Sequence, residues 1–418
     1  MAAYNVVLNR VLKDIKPTKS EVAGLTTRVA EFKAILASKL PYEIFVGGSF
    51  AKGTWLRGIK DIDIFVRFPY SKFKDKSDEL SDILEEYLNG LFKHVTRLHG
   101  SRDYFRVEHK GIRFEIVPIL KISKPEEAMN ITDVSPLHVE WVKSKADAKA
   151  RDEIRLLKGF VKANKLYGAE SYRRGFSGYG CEILTLCYGG FLGLIRDAAK
   201  WRPGKLLDPE GYYKTKEQAI MALNKSKLTA LVVIDPVQPT RNATAALSKA
   251  NLLHFVELAK GFLKEPSIEY FKLRVVKEKE LRKRYQGKPV VWLVVKPLEG
   301  KEDIIGAKLL KCFEYIAKSA ALYGFKIIER GWDWMPGKPA QMSFVFKGKI
   351  PKEHMIIGPP LKEVDHVKRF REKHKRCLIR DGKVVAIETR SFTEPREFLL
   401  GIIKSDYIKR LVTKIELK

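Results

Sequence analysis

The spacing of apolar residues changes along this chain, and the changes divide it. Through residues 1–125, short runs with a period of two alternate with stretches of helical period. Ile44-Phe45-Val46 has the character of a buried strand and ends on Gly47-Gly48, where the backbone is free to turn sharply. Ser49 follows as the predicted N-cap of a short helix, an end whose free amides suit phosphate oxygens, and Gly58 is the expected close of that helix. Asp61 to Phe68 reads as a second strand, with Ile62 and Ile64 on one face and Asp61 and Asp63 on the other. Tyr104 to Leu120 predicts a hairpin turning at His109-Lys110-Gly111. In its second strand Ile112, Phe114 and Ile116 alternate with Arg113, Glu115 and Val117, so Glu115 points away from the apolar face.

Pro125 and Pro136 mark a boundary region, after which helical periodicity dominates to about residue 262. The loop Trp201-Arg202-Pro203-Gly204 and a strand at Leu231 to Ile234 interrupt it. The remainder predicts strand Val290 to Lys296, helix Ile304 to Leu322, strands Phe325 to Arg330 and Met342 to Phe346, a helix from about Leu361 to Lys373, and strand Lys383 to Glu388. That βαββαβ order is the ferredoxin-like arrangement. The expected fold class is thus α+β and multidomain: a head of mixed sheet and helices (1–125), a mainly helical central domain (126–262) and a ferredoxin-like C-terminal region (263–418).

Charge narrows the partners. Lysine and arginine number 79 against 50 acids, a formal net charge of +29, with dense runs such as RVVKEKELRKR (274–284) and KRFREKHKR (368–376). An excess of this size favours nucleic acid or another polyanion and predicts salt-sensitive binding, although a merely basic or membrane-peripheral protein shares the composition. The longest nearly uncharged stretch, Ile183–Ile195, is too short to span a bilayer and suits a buried core helix. Cys181, Cys187, Cys312 and Cys377 show neither CxxC nor zinc spacing. With no signal-peptide pattern, the expectation is a soluble, cytoplasmic protein with reduced cysteines and no membrane partner.

Gly48-Ser49 and the pair Asp61-Ile62-Asp63 carry the chemistry. Two carboxylates on one strand face repel unless a cation lies between them, and oxygen ligands suit magnesium. A lone acidic pair is commonly just a solvated strand end, and Glu115 alone reads equally well as an ordinary outward polar residue. Gly48-Ser49 and the acidic pair together set a phosphate cradle beside a divalent-metal clamp, equipment for phosphoryl or nucleotidyl transfer. Arg151, Arg155, Lys158 and Lys162 recur at helical spacing opposite Ile154, Leu157 and Val161, predicting a helix with one apolar and one basic face toward a polyanion.

The GS…DxD pattern resembles the signature of the DNA polymerase β-like nucleotidyltransferases. More specifically, VLKDIKPTKSE, GSFAKGTWLRGIKDIDIFV, SPLHVEW, EIRLLKGFVKANKLYGAE, RGFSGYGCEIL and VVIDPVQPTRNATAALS resemble, in order, segments of the archaeal-type (class I) CCA-adding enzymes. The match is close to about residue 270 and looser beyond, through pieces such as Gly358-Pro359-Pro360. The resemblance implies a polymerase β-like head, two Mg2+ ions held by Asp61, Asp63 and Glu115, and repair of the tRNA 3′-terminal CCA from CTP and ATP. It also implies nucleotide contacts from Gly48, Ser49, Lys52, His138, Lys158 and Tyr167, with Arg241 reading the base. Tyr104 and Arg106 fall in a hairpin that approaches the nucleotide and primer end. Glu115 stands where aspartate is more usual, and Arg106 where histidine is common. The family grips the acceptor and T arms of tRNA with its distal region. Arg151 and Arg155, and on the distal helix Lys368 and Arg371 beside Arg369, Lys373 and Lys375, are the candidates for tRNA contact. Trp332 and Trp334 could stack on RNA or fill a core. A homodimer is left open. Two rivals stand beside this reading: a poly(A) polymerase or other RNA-tailing enzyme on the same head, and a catalytically silent RNA-binding protein.

Overall fold

The computed structural model describes residues 2–273 and 277–418, in two compact units, Met1–Arg274 and Val275–Lys418. In the first, β1 (Glu43–Val46), β2 (Asp61–Pro69), β3 (Thr96–Leu98), β4 (Tyr104–His109) and β5 (Ile112–Lys121) form one mixed sheet in the order β1-β2-β5-β4-β3. β2 and β5 pair in parallel, and the other neighbours are antiparallel. The alternation seen in sequence becomes two faces. Ile62, Ile64, Val66, Phe105, Val107, Phe114 and Ile116 are all buried on one side. Two helices cover them. Lys19–Ala37 opens on a Thr18/Glu21 capping box and stacks Phe32 on Phe114 with centroids 3.7 Å apart. Leu80–Asn89 turns Leu80, Leu84 and Leu88 inward at i, i+4, i+8.

The helical region has its own core within the same unit, built on Leu157, Phe160, Ile183, Leu194, Phe255 and Phe262. The N-terminal helix Ala2–Ile15 packs here through Leu8 and Val11, and Tyr4 Oη donates to the Leu263 carbonyl at 2.7 Å. The boundary drawn at residue 125 therefore does not hold for this helix. Short strands β6 (Lys205–Leu207) and β7 (Leu231–Val233) pair in parallel beside it. The apolar stretch 183–195 is broken at Gly189-Gly190 into two helices bent by 91°, so no single described helix is long and apolar enough to cross a membrane.

The connector after β5 is pinned by one buried acid. Asp133 pairs with Arg102 and accepts the backbone amides of Leu120 (2.9 Å), Met129 (3.1 Å) and Asn130 (2.9 Å). Arg102 in turn donates to the Pro118 carbonyl at 3.1 Å.

In the second unit, β8 (Val290–Pro297), β9 (Ile327–Asp333), β10 (Ala340–Phe346) and β14 (Val412–Leu417) form an antiparallel sheet in the order β14-β8-β10-β9. Helix Glu302–Tyr323 lies on it, with Phe313 stacked on Phe344 at 5.2 Å. The sequence assigned the helix after Leu361 and the strand at Lys383 to this sheet, and the structure corrects that. Helix Val364–Lys373 belongs with β11 (Glu353–Pro360), β12 (Cys377–Arg380) and β13 (Lys383–Thr389), a separate sheet in the order β11-β13-β12. Local pairing won: Asp381 and Gly382 both have positive φ (50° and 72°) and close a two-residue hairpin that commits β13 to β12. The place beside β8 goes to β14. Trp334 is buried, its indole N–H donating to the Lys338 carbonyl at 3.1 Å. It is a core residue rather than a stacking platform. The basic run from Arg274 has its first three residues outside the described ones.

Replacing Asp133 with alanine would leave Arg102 buried without its counter-charge. The expected cost is about 3–5 kcal/mol, read as a lowered urea midpoint for the first unit.

Candidate active site

Parallel register brings two of the acids face to face. Asp63 stands opposite Glu115, and Asp61 opposite Arg113, on adjacent strands about 4.8 Å apart. All four project from the face opposite the core, and β4 adds Arg106 opposite Glu115. The turn after β1 closes over this face. Gly47 N donates to the Asp63 carbonyl at 2.8 Å. Gly48 has φ +61°, and a Cβ there would fall 1.7 Å from Asp63 Oδ2, so only glycine fits. The helix Gly48–Lys52 is capped by Gly47 rather than Ser49, which sits in its first turn, and it is closed by Gly53 rather than Gly58.

Burial, followed by the charges of Glu115 and then Asp61, raises the Asp63 carboxyl to about 6, with Lys52 opposing. The outer two acids are paired: Arg106 Nη2 donates to Glu115 Oε1 at 2.9 Å, and Arg113 Nη1 to Asp61 Oδ1 at 3.0 Å. Among the described residues, no three His, Cys, Asp or Glu side chains stand close enough to form a ready metal cage. The donors nevertheless fit a hard divalent cation in kind and placement: oxygen ligands on one sheet face, with a central acid whose charge lacks a partner arginine.

Behind this face lies a chain of buried charge. Glu182 is 1% exposed and holds two lysines, accepting from Lys52 Nζ at 2.8 Å and Lys158 Nζ at 2.7 Å. Thr54 Oγ1 also donates to it, at 2.6 Å. Despite burial, Lys158 and then Lys52 hold the Glu182 carboxyl down at about 2. Lys52 also lies 5.0 Å over the Tyr179 ring. Tyr179 stacks on His138 at 4.1 Å and donates to Asp235 Oδ1 at 3.2 Å. Fully buried Asp235 accepts from Arg241 Nη1 at 2.5 Å and from the amide of Val237 at 2.9 Å. His138 Nε2 approaches its Oδ2 to 3.2 Å, off the line of a hydrogen bond. Desolvation lowers the His138 pKa against the opposing pull of Asp235. Burial raises the Tyr167 phenol, which also feels the charges of Glu182 and Asp63.

The structure thus brings Lys52 and Tyr167 near Asp63, links Lys158 to Lys52 through Glu182, and joins His138 and Arg241 to Lys52 through Tyr179 and Asp235. Gly48 lies against Asp63, Ser49 in the next turn and Tyr104 at the start of β4. The basic face predicted for helix Ala148–Ala163 is corrected in its middle, while Lys162 is exposed as expected. Lys158 and Arg155 are 2% and 8% exposed, and Arg155 is spent on the Trp55 carbonyl (3.0 Å), the Gly53 carbonyl and Asp152. Arg155 braces the loop after Lys52 and cannot face tRNA. Arg151 is half-buried against Gly53. Lys368 and Arg371 are exposed on their helix in the second unit. Glu182, Asp235 and Tyr179 were missed by the sequence reading. The available signal was a lone acid inside the apolar run GYGCEILTLC, an expensive burial unless paired.

Comparison with known proteins decides the family. Residues 152–272 match the model of the tRNA nucleotidyltransferase second domain, and 287–409 that of the CCA-adding enzyme C-terminal domain. Residues 2–153 match the second messenger oligonucleotide or dinucleotide synthetase domain. The chain is 36% identical over 354 residues to the CCA-adding enzyme of Nanoarchaeum equitans, covering 84% of this chain and 85% of that one. It is 32% identical to that of Sulfurisphaera tokodaii (92% and 88%) and 30% identical to that of Methanocaldococcus jannaschii (96% and 91%). The chain belongs to the CCA-adding enzyme family. Its fold also resembles a cytoplasmic RNA terminal U-transferase, with a TM-score of 0.51 at 16% identity over 66% of this chain and all of that one. The mixed sheet with flanking helices thus shares its fold with that transferase.

Two outcomes follow for this CCA-adding enzyme family member. Gly48→Ala and Gly58→Ala both put a side chain at positive φ, but nothing lies within 4 Å of the second. Gly58→Ala should cost about 1–2 kcal/mol in urea unfolding, and Gly48→Ala clearly more. Because the Asp63 pKa is raised, protons compete with a divalent cation below pH 6. Mn2+ affinity, followed by electron paramagnetic resonance, should be flat above pH 7 and fall about tenfold per unit below pH 6. Asp63→Asn should bind weakly at every pH.

Proposed function

We propose that this protein adds and repairs the 3′-terminal CCA of tRNA, without a nucleic-acid template, from CTP and ATP with release of pyrophosphate. The observation that carries the reading is the in-register pair Asp63 and Glu115 under the Gly47-Gly48 turn, within a chain of this family. Asp61, Asp63 and Glu115 would hold two divalent cations, magnesium by donor type. When bound, such ions supply charge neutralisation at the attacked phosphate and ease loss of the attacking hydroxyl's proton.

The chain's own residues do the rest by position. Lys52 and Lys158, fixed by Glu182, present a surplus of one positive charge toward a triphosphate. Ser49 and Tyr167 contribute hydroxyl donors beside it. Arg241 is clasped on one edge by Asp235, which aims its remaining N–H groups at a base edge. His138 supports that arrangement by stacking against Tyr179. Rate enhancement would come from orientation and fixed charge rather than covalent chemistry. The second unit, read as a ferredoxin-like sheet interrupted by residues 353–389, would meet the acceptor and T arms through exposed Lys368, Arg369, Arg371 and Lys373.

The test is incubation with tRNA lacking its last three nucleotides, Mg2+ and labelled CTP or ATP. Ordered addition that stops after CCA is expected. A long A tail would instead make it a tailing enzyme, and no incorporation would make it a silent RNA-binding protein. Asp63→Asn should lower incorporation by at least about a thousandfold while tRNA affinity in a filter-binding assay stays within about twofold.

A further inference from the structure

The β4–β5 hairpin places two arginines among the acids, and each takes one carboxylate. Arg106 holds Glu115 and Arg113 holds Asp61, at 2.9 and 3.0 Å. Asp63, between them, has neither. The outer two acids are thus neutralised by guanidinium groups, and among the described residues no ready three-acid cage is formed. Neither arginine is locked. The Arg106 and Arg113 side chains are 33% and 40% exposed, and both Nε atoms are shielded from solvent without a hydrogen-bond partner. Such a group is ready to exchange one anion for another. A guanidinium fork fits a phosphate as well as a carboxylate, two parallel N–H donors to two oxygens.

We propose that Arg106 is a carboxylate-to-phosphate switch. In the cation-free enzyme it pairs with Glu115. Entry of a divalent cation takes over that carboxylate, and the released guanidinium grips a phosphate oxygen of the substrate. Cation loading and phosphate binding are thereby coupled through one side chain, which acts by positioning and takes no part in bond making. The proposal rests on the metal-binding reading of the three acids.

Two measurements on the full chain test it. The first is Mn2+ binding without substrate, by electron paramagnetic resonance. Because a half-exposed ion pair contributes little, Arg106→Ala should bind Mn2+ only about two- to fivefold more tightly than wild type. The second is the affinity for tRNA and, separately, for CTP, in EDTA and in Ca2+. Wild type should gain affinity for one of them in Ca2+, and which one names the source of the phosphate. Arg106→Ala should lose that gain and match wild type in EDTA. Arg106→Lys, which keeps the charge without the fork, should recover part of it. Unchanged or weaker Mn2+ binding by Arg106→Ala, or an equal loss of substrate affinity in EDTA, would overturn the switch. Asp63→Asn separates the two readings. If it retains wild-type Mn2+ binding, the acids are not the metal site and the switch falls with them. If it loses binding while Arg106→Ala gains none, the switch alone is wrong.

Discussion

The site depends on one backbone ladder, the parallel pairing of β2 with β5. A parallel register sets Asp63 beside Glu115 without any help from their side chains, because the apolar residues between them can face only the helices behind the sheet. A one-residue slip of β2 would expose Ile62 and Ile64, and one of β5 would expose Phe114 and Ile116. The core therefore enforces a juxtaposition that electrostatics resists. Two like charges about 5 Å apart repel by about 3 kcal/mol at an effective dielectric near 20. Such a pair is relieved by a proton, a counter-ion side chain or a metal. The raised Asp63 pKa and the arginine pairs are the first two of these.

A second constraint works away from solvent. Glu182 and Asp235 are each buried and each gather basic side chains, Lys52 with Lys158 and Arg241 with His138. Tyr179 touches both groups, through the cation over its ring and the hydrogen bond from its hydroxyl. Removing one partner of such a pair is expensive, whereas an exposed pair such as Lys260 with Glu257 contributes about 0–1 kcal/mol. Lys52, Lys158 and Arg241 are accordingly held by buried acids before any nucleotide arrives. Holding them costs little further order on binding, which is what a site that works by position requires.

Net charge divides along the same line. Arg155 and Lys158 of helix Ala148–Ala163 turn inward, onto the loop after Lys52 and onto Glu182, while its Lys149 and Lys162 and the lysines and arginines of helix Val364–Lys373 remain in solvent. One helical spacing of basic residues thus has two uses. Only the exposed kind adds to the long-range attraction for a polyanion.

By itself the sequence determined what repeats with a period. The two faces of β2 and β5, the paired acids, the glycine turn and half of the described second-unit helices and strands were legible there, because alternation and turn chemistry are local. Resemblance supplied names for Lys52, Lys158 and Arg241, but no partners for them. Tertiary structure alone decided which strands paired. It sent β13 to β12 through the Asp381-Gly382 turn and gave the edge beside β8 to β14. It also packed the N-terminal helix on the helical core, where Leu8 and Val11 find their apolar contacts. Only the fold could show that Arg155 braces a loop and that Glu182 is the anion behind two lysines. A charge's meaning depends on what lies across space from it, and Lys52 and Glu182, 130 positions apart, meet only when the chain has closed.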